Sequence, residues 1–463
     1  MSKTFPFLFS TSILSAIGAV AHHEVVAAER PNILLIMADD LGWSDIGCYG
    51  ATDIKTPHID ELAEQGCRLT SFYSNSNVSS PSRAALLTGC FPDLVGVPGV
   101  VRDGERWNYG NLTTYAPTLA EQLQEGGYKS VLIGKWHLGI TSPNHPNDRG
   151  FETFNGWLEG MIDSYTTHTR SKKNYMRNNE CVVETSGEHA TDLFTRWAVE
   201  HIDNMAGDQS PLFMFLSYTA PHDPIDPTAE SLERILERED GISLERAKYG
   251  ALVEHMDCGI GKVVDALRRT GRLDNTVIIF LSDNGGVLRH GATNGELRGG
   301  KGDMWEGGIR VPFIVWSPER VERQLSQNKM MIMDVYPTLL ELVGLESLIP
   351  QSIDGVSYAK MLSGEEQKDP KRVLYFVRRE GGSSMGLSYY AVRYGEWKML
   401  QNNPTQPFFF VNIEKDPFET SPIAAKEMPN EMVEKFQNRM QNHQAKVGRV
   451  AWQRDNNNKQ TDN

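Results

Sequence analysis

The stretch Asn32-Ile33-Leu34-Leu35-Ile36-Met37 is apolar from its second residue on, and Ala38-Asp39-Asp40 follow it directly. A run of this length without polar alternation fits a strand covered on both faces, the usual state of a parallel strand. The same pattern recurs along the chain. Residues 130–133, 212–216, 276–281 and 311–316 are further short apolar runs, and 68–72 can form another strand. Helical patterns separate them. Thr56-Pro57 opens a short helix with Ile59, Leu62 and Ala63 on one face, stopped by Gly66. Thr118 and Glu121 have capping-box spacing ahead of Leu119 and Leu123, in a helix that ends at Gly126-Gly127. A long amphipathic helix is predicted over 243–270. This alternation predicts an α/β fold, with a large mixed, mostly parallel sheet sandwiched by helices.

After about residue 363 the pattern changes. Segments 371–378, 389–393, 397–400 and 408–413 read as short strands of a smaller C-terminal antiparallel sheet, with a last helix near 432–447. The expected division is a large domain over 29–363 and a subdomain over 364–452. The Asn/Gln-rich end, 453–463, is expected to be disordered. The sequence contains no internal repeat.

Polar residues with chemical potential follow the predicted strands closely. Asp39-Asp40 follow the first; Lys135 and His137, His222, and Asp283-Asn284 follow three others. Open α/β sheets bind ligands at the carboxyl ends of their strands, so these clusters should converge on one cleft. Asp39, Asp40, Asp283 and Asn284 offer only oxygen donors, which suits a hard divalent cation, calcium above magnesium. The same pairs also serve as strand-end caps and turns, but two such pairs at strand ends favour a metal. Lys135 and His137 are two apart on a strand-like segment and so should point to one side.

Between these pairs in sequence lies Ser79-Ser80-Pro81-Ser82-Arg83-Ala84-Ala85-Leu86-Leu87-Thr88-Gly89. Locally it reads as a helix start, with Ser80 as N-cap and Pro81 at N1. The free N–H groups and partial positive charge of that end suit an anion beside Ser79.

Composition bounds the rest. With 463 residues the chain can build one large core and a smaller unit. A net charge of -14 argues against a nucleic-acid partner, though a local field can still attract an anion. Lys3 followed by the mostly apolar 5–20, with Ala19-Val20-Ala21 or Ala27-Ala28 as cleavage sites, reads as an export signal over 1–28. It is too short and polar to predict stable membrane insertion, so the expected location is periplasmic or secreted. Five cysteines form no CxxC pair, which argues against a zinc or thioredoxin-like motif. One or two disulfides are possible in an exported chain, but the odd count leaves a thiol, and most are expected to be buried small hydrophobes.

The segment 79–89 resembles the signature of the type I sulfatases, Cys/Ser-x-Pro-Ser-Arg-x-x-x-Leu-Thr-Gly. Ala38-Asp39-Asp40-Leu41-Gly42, Gly134-Lys135-Trp136-His137-Leu138-Gly139, Ala220-Pro221-His222, Ser282-Asp283-Asn284-Gly285 and Gly300-Lys301-Gly302 are similar to further motifs of that family, in family order. The resemblance spans nearly the whole mature chain and implies the alkaline-phosphatase-like fold. It implies that Ser79 is converted to formylglycine by a separate serine-type maturation enzyme. Most members from aerobic hosts carry cysteine at that place. It implies that Asp39, Asp40, Asp283 and Asn284 hold calcium. The hydrated aldehyde would attack sulfur through one hydroxyl, and proton loss from the other would release sulfate. Arg83 would hold the hydrate, and Lys135 and Lys301 would bind sulfate oxygens. His137 would assist breakdown of the sulfated hemiacetal, and His222 would protonate the leaving oxygen.

Substrate is less legible. His168, Arg170, Lys172, Lys173 and Arg177 form a basic segment that could grip further anionic groups of a sulfated carbohydrate, with Tyr165 or Tyr175 stacking on sugar. A solvated basic loop is the plainer reading for most of these residues. Export favours a polymer met outside the cytoplasm. Two other functions compete: a phosphohydrolase of the same superfamily with Ser79 itself as nucleophile, which would want more histidine ligands, and a non-catalytic sulfated-glycan-binding protein that keeps Ser79 unmodified.

Overall fold

The computed structural model describes residues 1, 30–102, 110–185, 187–367, 371–381 and 386–447. Apart from Met1, the expected export signal and the 453–463 tail lie outside the described residues. Among the described residues no helix is long and apolar enough to cross a membrane.

Asn32–Ala38 lies in the middle of a ten-stranded sheet, between the parallel strands Leu212–Ser217 and Thr276–Ser282. All seven of its residues are buried. Successive side chains of a strand point to opposite faces, so both faces of the sheet are covered here. Lys129–Lys135 and then Thr153–Trp157 extend the parallel core on one side. On the other side Phe313–Trp316 pairs antiparallel with Thr276–Ser282, followed by Cys67–Leu69 and Gln324–Ser326. Met176–Asn178 and Cys181–Val182 close the far edge.

The predicted helices form where their caps allow. Thr118 and Glu121 make the reciprocal capping box of Leu119–Glu125. The Ser243 hydroxyl accepts from the Arg246 N–H and starts Leu244–Arg269, the longest helix described, which packs against Ala190–Asn204, Ala229–Arg238 and Pro57–Gln65. Two strands differ from expectation. The 68–72 run splits into Cys67–Leu69 and Phe72–Tyr73, and the second piece pairs with Met330–Met331 instead. The strand expected at 311 begins at Phe313, because Pro312 has no N–H to give the ladder.

The smaller sheet contains Leu374–Arg379, Ser388–Tyr394, Trp397–Gln401, Phe409–Asn412 and a further short strand, Ile423–Ala424, all antiparallel. Its register separates two faces. Val392, Met399 and Phe410 form one row, packed with Phe436 of the helix Asn430–Val447. Ala391 and Leu400, with Val411, join the main core on the other face. Arg393 and Lys398 are paired across strands on that inner face and are buried.

None of the five cysteines is in a disulfide. Cys67 and Cys90 are buried, Cys48 is half-buried, and Cys181 and Cys258 are exposed, so fewer are core residues than expected.

Candidate active site

Ser79 is the first residue of the helix Ser79–Thr88, with Val78 as N-cap. The expected start, with Ser80 as N-cap and Pro81 at N1, is therefore displaced by two positions. The Ser80 hydroxyl has another task, accepting the N–H of Val101. Pro81 still lies in the first turn, where no intrahelical partner is lost. Gly89 ends the helix at φ 67°, a left-handed cap that glycine adopts without strain.

The strand ends converge on Ser79. Its Oγ donates toward Asp39 Oδ1 at 3.2 Å and lies 3.3 Å from Asn284 Oδ1. Asn284 Nδ2 donates to Asp40 Oδ1 at 2.8 Å, and the Asp40 N–H donates to Asp283 Oδ1 at 3.1 Å. Asp39, Asp283 and Asn284 are fully buried, and Asp40 nearly so. Three cations surround them. Lys135 Nζ lies 2.5 Å from Asp39 Oδ2, and Lys301 Nζ lies 2.7 Å from Asp40 Oδ2. Arg83, one helical turn after Ser79, reaches Asp283 Oδ2 at 3.3 Å and is held by Ser217 Oγ at 2.6 Å. All ten residues singled out in the sequence as catalytic or metal-binding thus lie in or beside one cluster at the carboxyl ends of four strands.

His137 arrives by an unexpected route. The strand ends at Lys135, so strand alternation does not orient His137, whose backbone is left-handed at φ 64°. Its Nε2 donates to the Val101 carbonyl at 2.9 Å. Its ring packs so closely on Gly160 that a Cβ there would lie 2.1 Å from Nε2. His222 Nδ1 donates to the Asp223 carbonyl at 2.6 Å, while Nε2 faces Asp40 Oδ2 at 3.5 Å.

Burial by itself would raise Asp39, but Lys135, His222, Arg83 and Lys301 together hold it well below the usual carboxylate range. Burial and the neighbouring Asp39 push Asp283 up to about 7. Burial lowers Lys135 despite Asp39, and Lys301 is raised because Asp40 and Asp39 outweigh its burial. Burial, helped by Lys135 and Arg83, holds His137 well below the imidazole range; burial and Lys301 lower His222. Three carboxylates and an amide oxygen this close, with no sulfur donor, fit a hard divalent cation. Asp39, Asp40 and His222 each offer a ligand atom within 4.8 Å of the others.

A cleft of about 390 Å³ opens over Ser79. Its walls include His137, His222, Lys301, Arg170, Lys173 and Tyr175. The basic segment therefore divides. Thr169–Arg170 and Lys173–Asn174 form a tight hairpin whose tip, Ser171-Lys172, is left-handed at both positions. Arg170, Ser171 and Lys173 line the cleft, whereas Lys172 is exposed at the tip and is not part of the wall. His168 is buried and bonds the Tyr165 carbonyl and Thr185. Arg177 donates to the carbonyls of Asn174 and Met176. Tyr165 is fully buried, which leaves Tyr175, a cleft-wall residue that is itself mostly buried, as the tyrosine that could touch sugar. Arg102 and Glu159 also line the cleft and were not singled out in the sequence, since neither lies in a motif or at a predicted strand end.

Comparison with known proteins gives a consistent picture. The sulfatase family profile matches residues 31–345, and a profile described as N-sulphoglucosamine sulphohydrolase, C-terminal, matches residues 300–446. The N-acetylgalactosamine-6-sulfatases of dog and of human are each 31% identical over 405 residues, covering 83% of this chain and 75% of theirs. Among solved structures, Ps i-CgsB in complex with k-i-k-neocarrahexaose is similar with a TM-score of 0.81 and 32% identity, covering 91% of this chain and 94% of that one.

Proposed function

This chain belongs to the sulfatase family and is a sulfuric ester hydrolase, and from that premise we propose that it removes sulfate from a sulfated carbohydrate through a formylglycine formed at Ser79. The observation that carries the reading is the placement of Ser79 Oγ at the floor of the cleft, between Asp39 and Asn284, with Lys135 and Lys301 on the flanking carboxylates. Relatives named N-acetylgalactosamine-6-sulfatase, and a similar structure in complex with k-i-k-neocarrahexaose, support a glycan substrate.

Asp39, Asp40, Asp283 and Asn284 would hold calcium, which would polarise a sulfate oxygen when bound. Formylglycine would supply a nucleophilic hydroxyl and, through its second hydroxyl, an exit for sulfate. The chain's own side chains do the rest. Arg83, fixed by Ser217, holds the nucleophile's oxygens beside the carboxylates. Lys135 and Lys301 turn toward the sulfate oxygens and stabilise the negative charge those oxygens carry in the trigonal-bipyramidal transition state. His222 meets the leaving oxygen and gives it a proton. Its Nδ1 is bonded to the Asp223 carbonyl, which leaves Nε2, on the Asp40 side, for that proton. His137, with Nε2 committed to Val101, has Nδ1 left to take the proton released as sulfate departs. Arg170, Lys173 and Tyr175 would contact the sugar beyond the reacting ester.

The reading also includes an exported, periplasmic or secreted location, a serine-type maturation enzyme as partner, and a catalytic domain over 29–363 joined to a subdomain over 364–452. The test is free-sulfate release by protein matured in its own host, from a panel of sulfated glycans, beside 4-nitrophenyl sulfate and 4-nitrophenyl phosphate. Release from at least one glycan is expected, with weak aryl sulfate turnover. Efficient aryl sulfate turnover with no glycan cleaved would remove the carbohydrate assignment. Preference for the phosphate would remove the proposed mechanism.

A further inference from the structure

Tyr165 is a fully buried tyrosine whose hydroxyl lies 2.9 Å from the carbonyl of Thr219 and 2.9 Å from that of His222. Those carbonyls bracket the turn that presents His222. The turn has further ties: the His222 N–H donates to Thr219 O, and the Asp39 N–H donates to Ala220 O. Tyr165 is itself locked. Its carbonyl accepts from the Ala190 N–H and from His168 Nε2. Its ring stacks on His189 at 4.8 Å with planes 21° apart. His189 has both nitrogens committed, one accepting from the Thr191 N–H and the other donating to the Asp226 carbonyl. The pair Tyr165–His189 thus grips the 219–226 loop at both ends and ties it to the first turn of the helix Ala190–Asn204.

We propose that Tyr165 is the positioning residue for His222, fixing through its hydroxyl the backbone that aims the imidazole at the leaving oxygen. This rests on the reading of His222 as proton donor. Tyr165 touches no residue placed at the reacting ester except through this turn, whose two carbonyls share its buried hydroxyl. A displacement of about 1 Å in a catalytic group costs up to about a hundredfold in rate, so a single lost anchor is large enough to measure.

Leaving-group dependence provides the test. 4-Nitrophenyl sulfate departs as a stable phenolate and needs little proton donation; phenyl sulfate needs much more. In matured enzyme, Y165F is expected to keep kcat/KM for 4-nitrophenyl sulfate within about twofold and to lower it for phenyl sulfate about tenfold, and H222A is expected to lower the latter about a hundredfold. The ratio of the two values is independent of how much active enzyme is present, so a purely structural role would not move it. H189N keeps a capping side chain while removing the stacked ring, and should show the same selective loss should Y165F fold poorly. If H222A discriminates between the two esters but neither Y165F nor H189N does, the positioning role is wrong and the proton donor stands. If H222A does not discriminate, the proton-donor reading falls and takes this inference with it.

Discussion

Two clusters of buried charge can be set side by side. One is the Ser79 site. The other lies where the small sheet meets the short helix Glu306–Ile309 and the strand Phe72–Tyr73, and contains Lys398, Glu306, Glu419, Arg393 and Tyr73. Lys398 Nζ donates to Glu306 at 2.9 Å and to Glu419 at 2.8 Å; the Tyr73 hydroxyl and the Glu306 N–H satisfy a further oxygen of each acid. Each cluster contains a carboxylate that burial pushes up to about 7: Asp283 in one and Glu419 in the other. A shifted acid therefore does not mark a catalytic site by itself. Access and balance separate the two. The junction's carboxylates are buried and their oxygens all face protein donors, whereas the Ser79 cluster opens on a cleft and crowds four oxygen-bearing side chains around one hydroxyl. The first arrangement ties the small sheet to the segments packed on its inner face, and the second is suited to receiving an ion and an anionic ester.

The strongest test of this contrast acts on Ser79 itself. Protein made in a host without the serine-type maturase should carry unmodified serine and lose at least about 10³-fold in sulfate release, since removing a nucleophile disables the whole catalytic unit. Peptide mass spectrometry of active protein from its own host should show the loss of two hydrogens at position 79, about two daltons, with a carbonyl trapped by hydrazides. Fully active protein with an intact serine would contradict the formylglycine reading. Next in size, D39A or D283A should lower kcat/KM by about 10²–10³ and reduce calcium content in parallel. Full activity after exhaustive chelation, with no metal by elemental analysis, would count against the cation.

The junction should respond in the opposite way. K398M leaves Glu306 and Glu419 buried without their shared cation, and breaking such a pair costs about 3–5 kcal/mol of stability. The expected result is a lower unfolding midpoint in denaturant, with kcat/KM of the folded fraction unchanged within about twofold. A variant that kept its stability but lost turnover would mean that the junction feeds into the site and is not a purely structural joint.

The two clusters were not equally legible in sequence. The Ser79 site could be read because strand ends, a helix start and acidic pairs all report on one place: a parallel sheet gathers its carboxyl ends whatever the length of chain between them. The junction offered no such signal. Glu306 and Lys398 are 92 residues apart, Tyr73 and Arg393 are 320 apart, and none lies in a motif that predicts its partner. Trp397-Lys398 resembles a dipeptide of the family's C-terminal part, but only the cross-strand register places Lys398 beside Arg393 on the inner face. His137 shows a related limit: its place among the site residues was readable, but its left-handed backbone and its seat on Gly160 are tertiary facts. The 168–177 segment shows another, since charge content alone could not separate hairpin strand from hairpin tip.

That segment also gives the smallest and sharpest prediction. Lys172 and Lys173 are neighbours with the same charge, so sequence treats them as equivalent. The hairpin does not: Lys173 lies on the strand that lines the cleft, while Lys172 occupies the left-handed tip outside it. Long-range attraction of a polyanion would depend on both lysines about equally and would be screened by salt within about 10 Å at 0.1 M. Direct contact would depend on Lys173 alone. K173Q is therefore expected to raise KM for a sulfated oligosaccharide about three- to tenfold with kcat little changed, the pattern of a binding contact made equally in ground and transition states. K172Q should leave both constants within about 1.5-fold. Neither variant should alter 4-nitrophenyl sulfate turnover, because that ester carries no sugar units beyond the reacting sulfate. Equal effects from the two lysines would make the rim a diffuse field. No effect from either would leave glycan recognition to Arg170, Tyr175 and Arg102, and would return the hairpin lysines to the solvated surface.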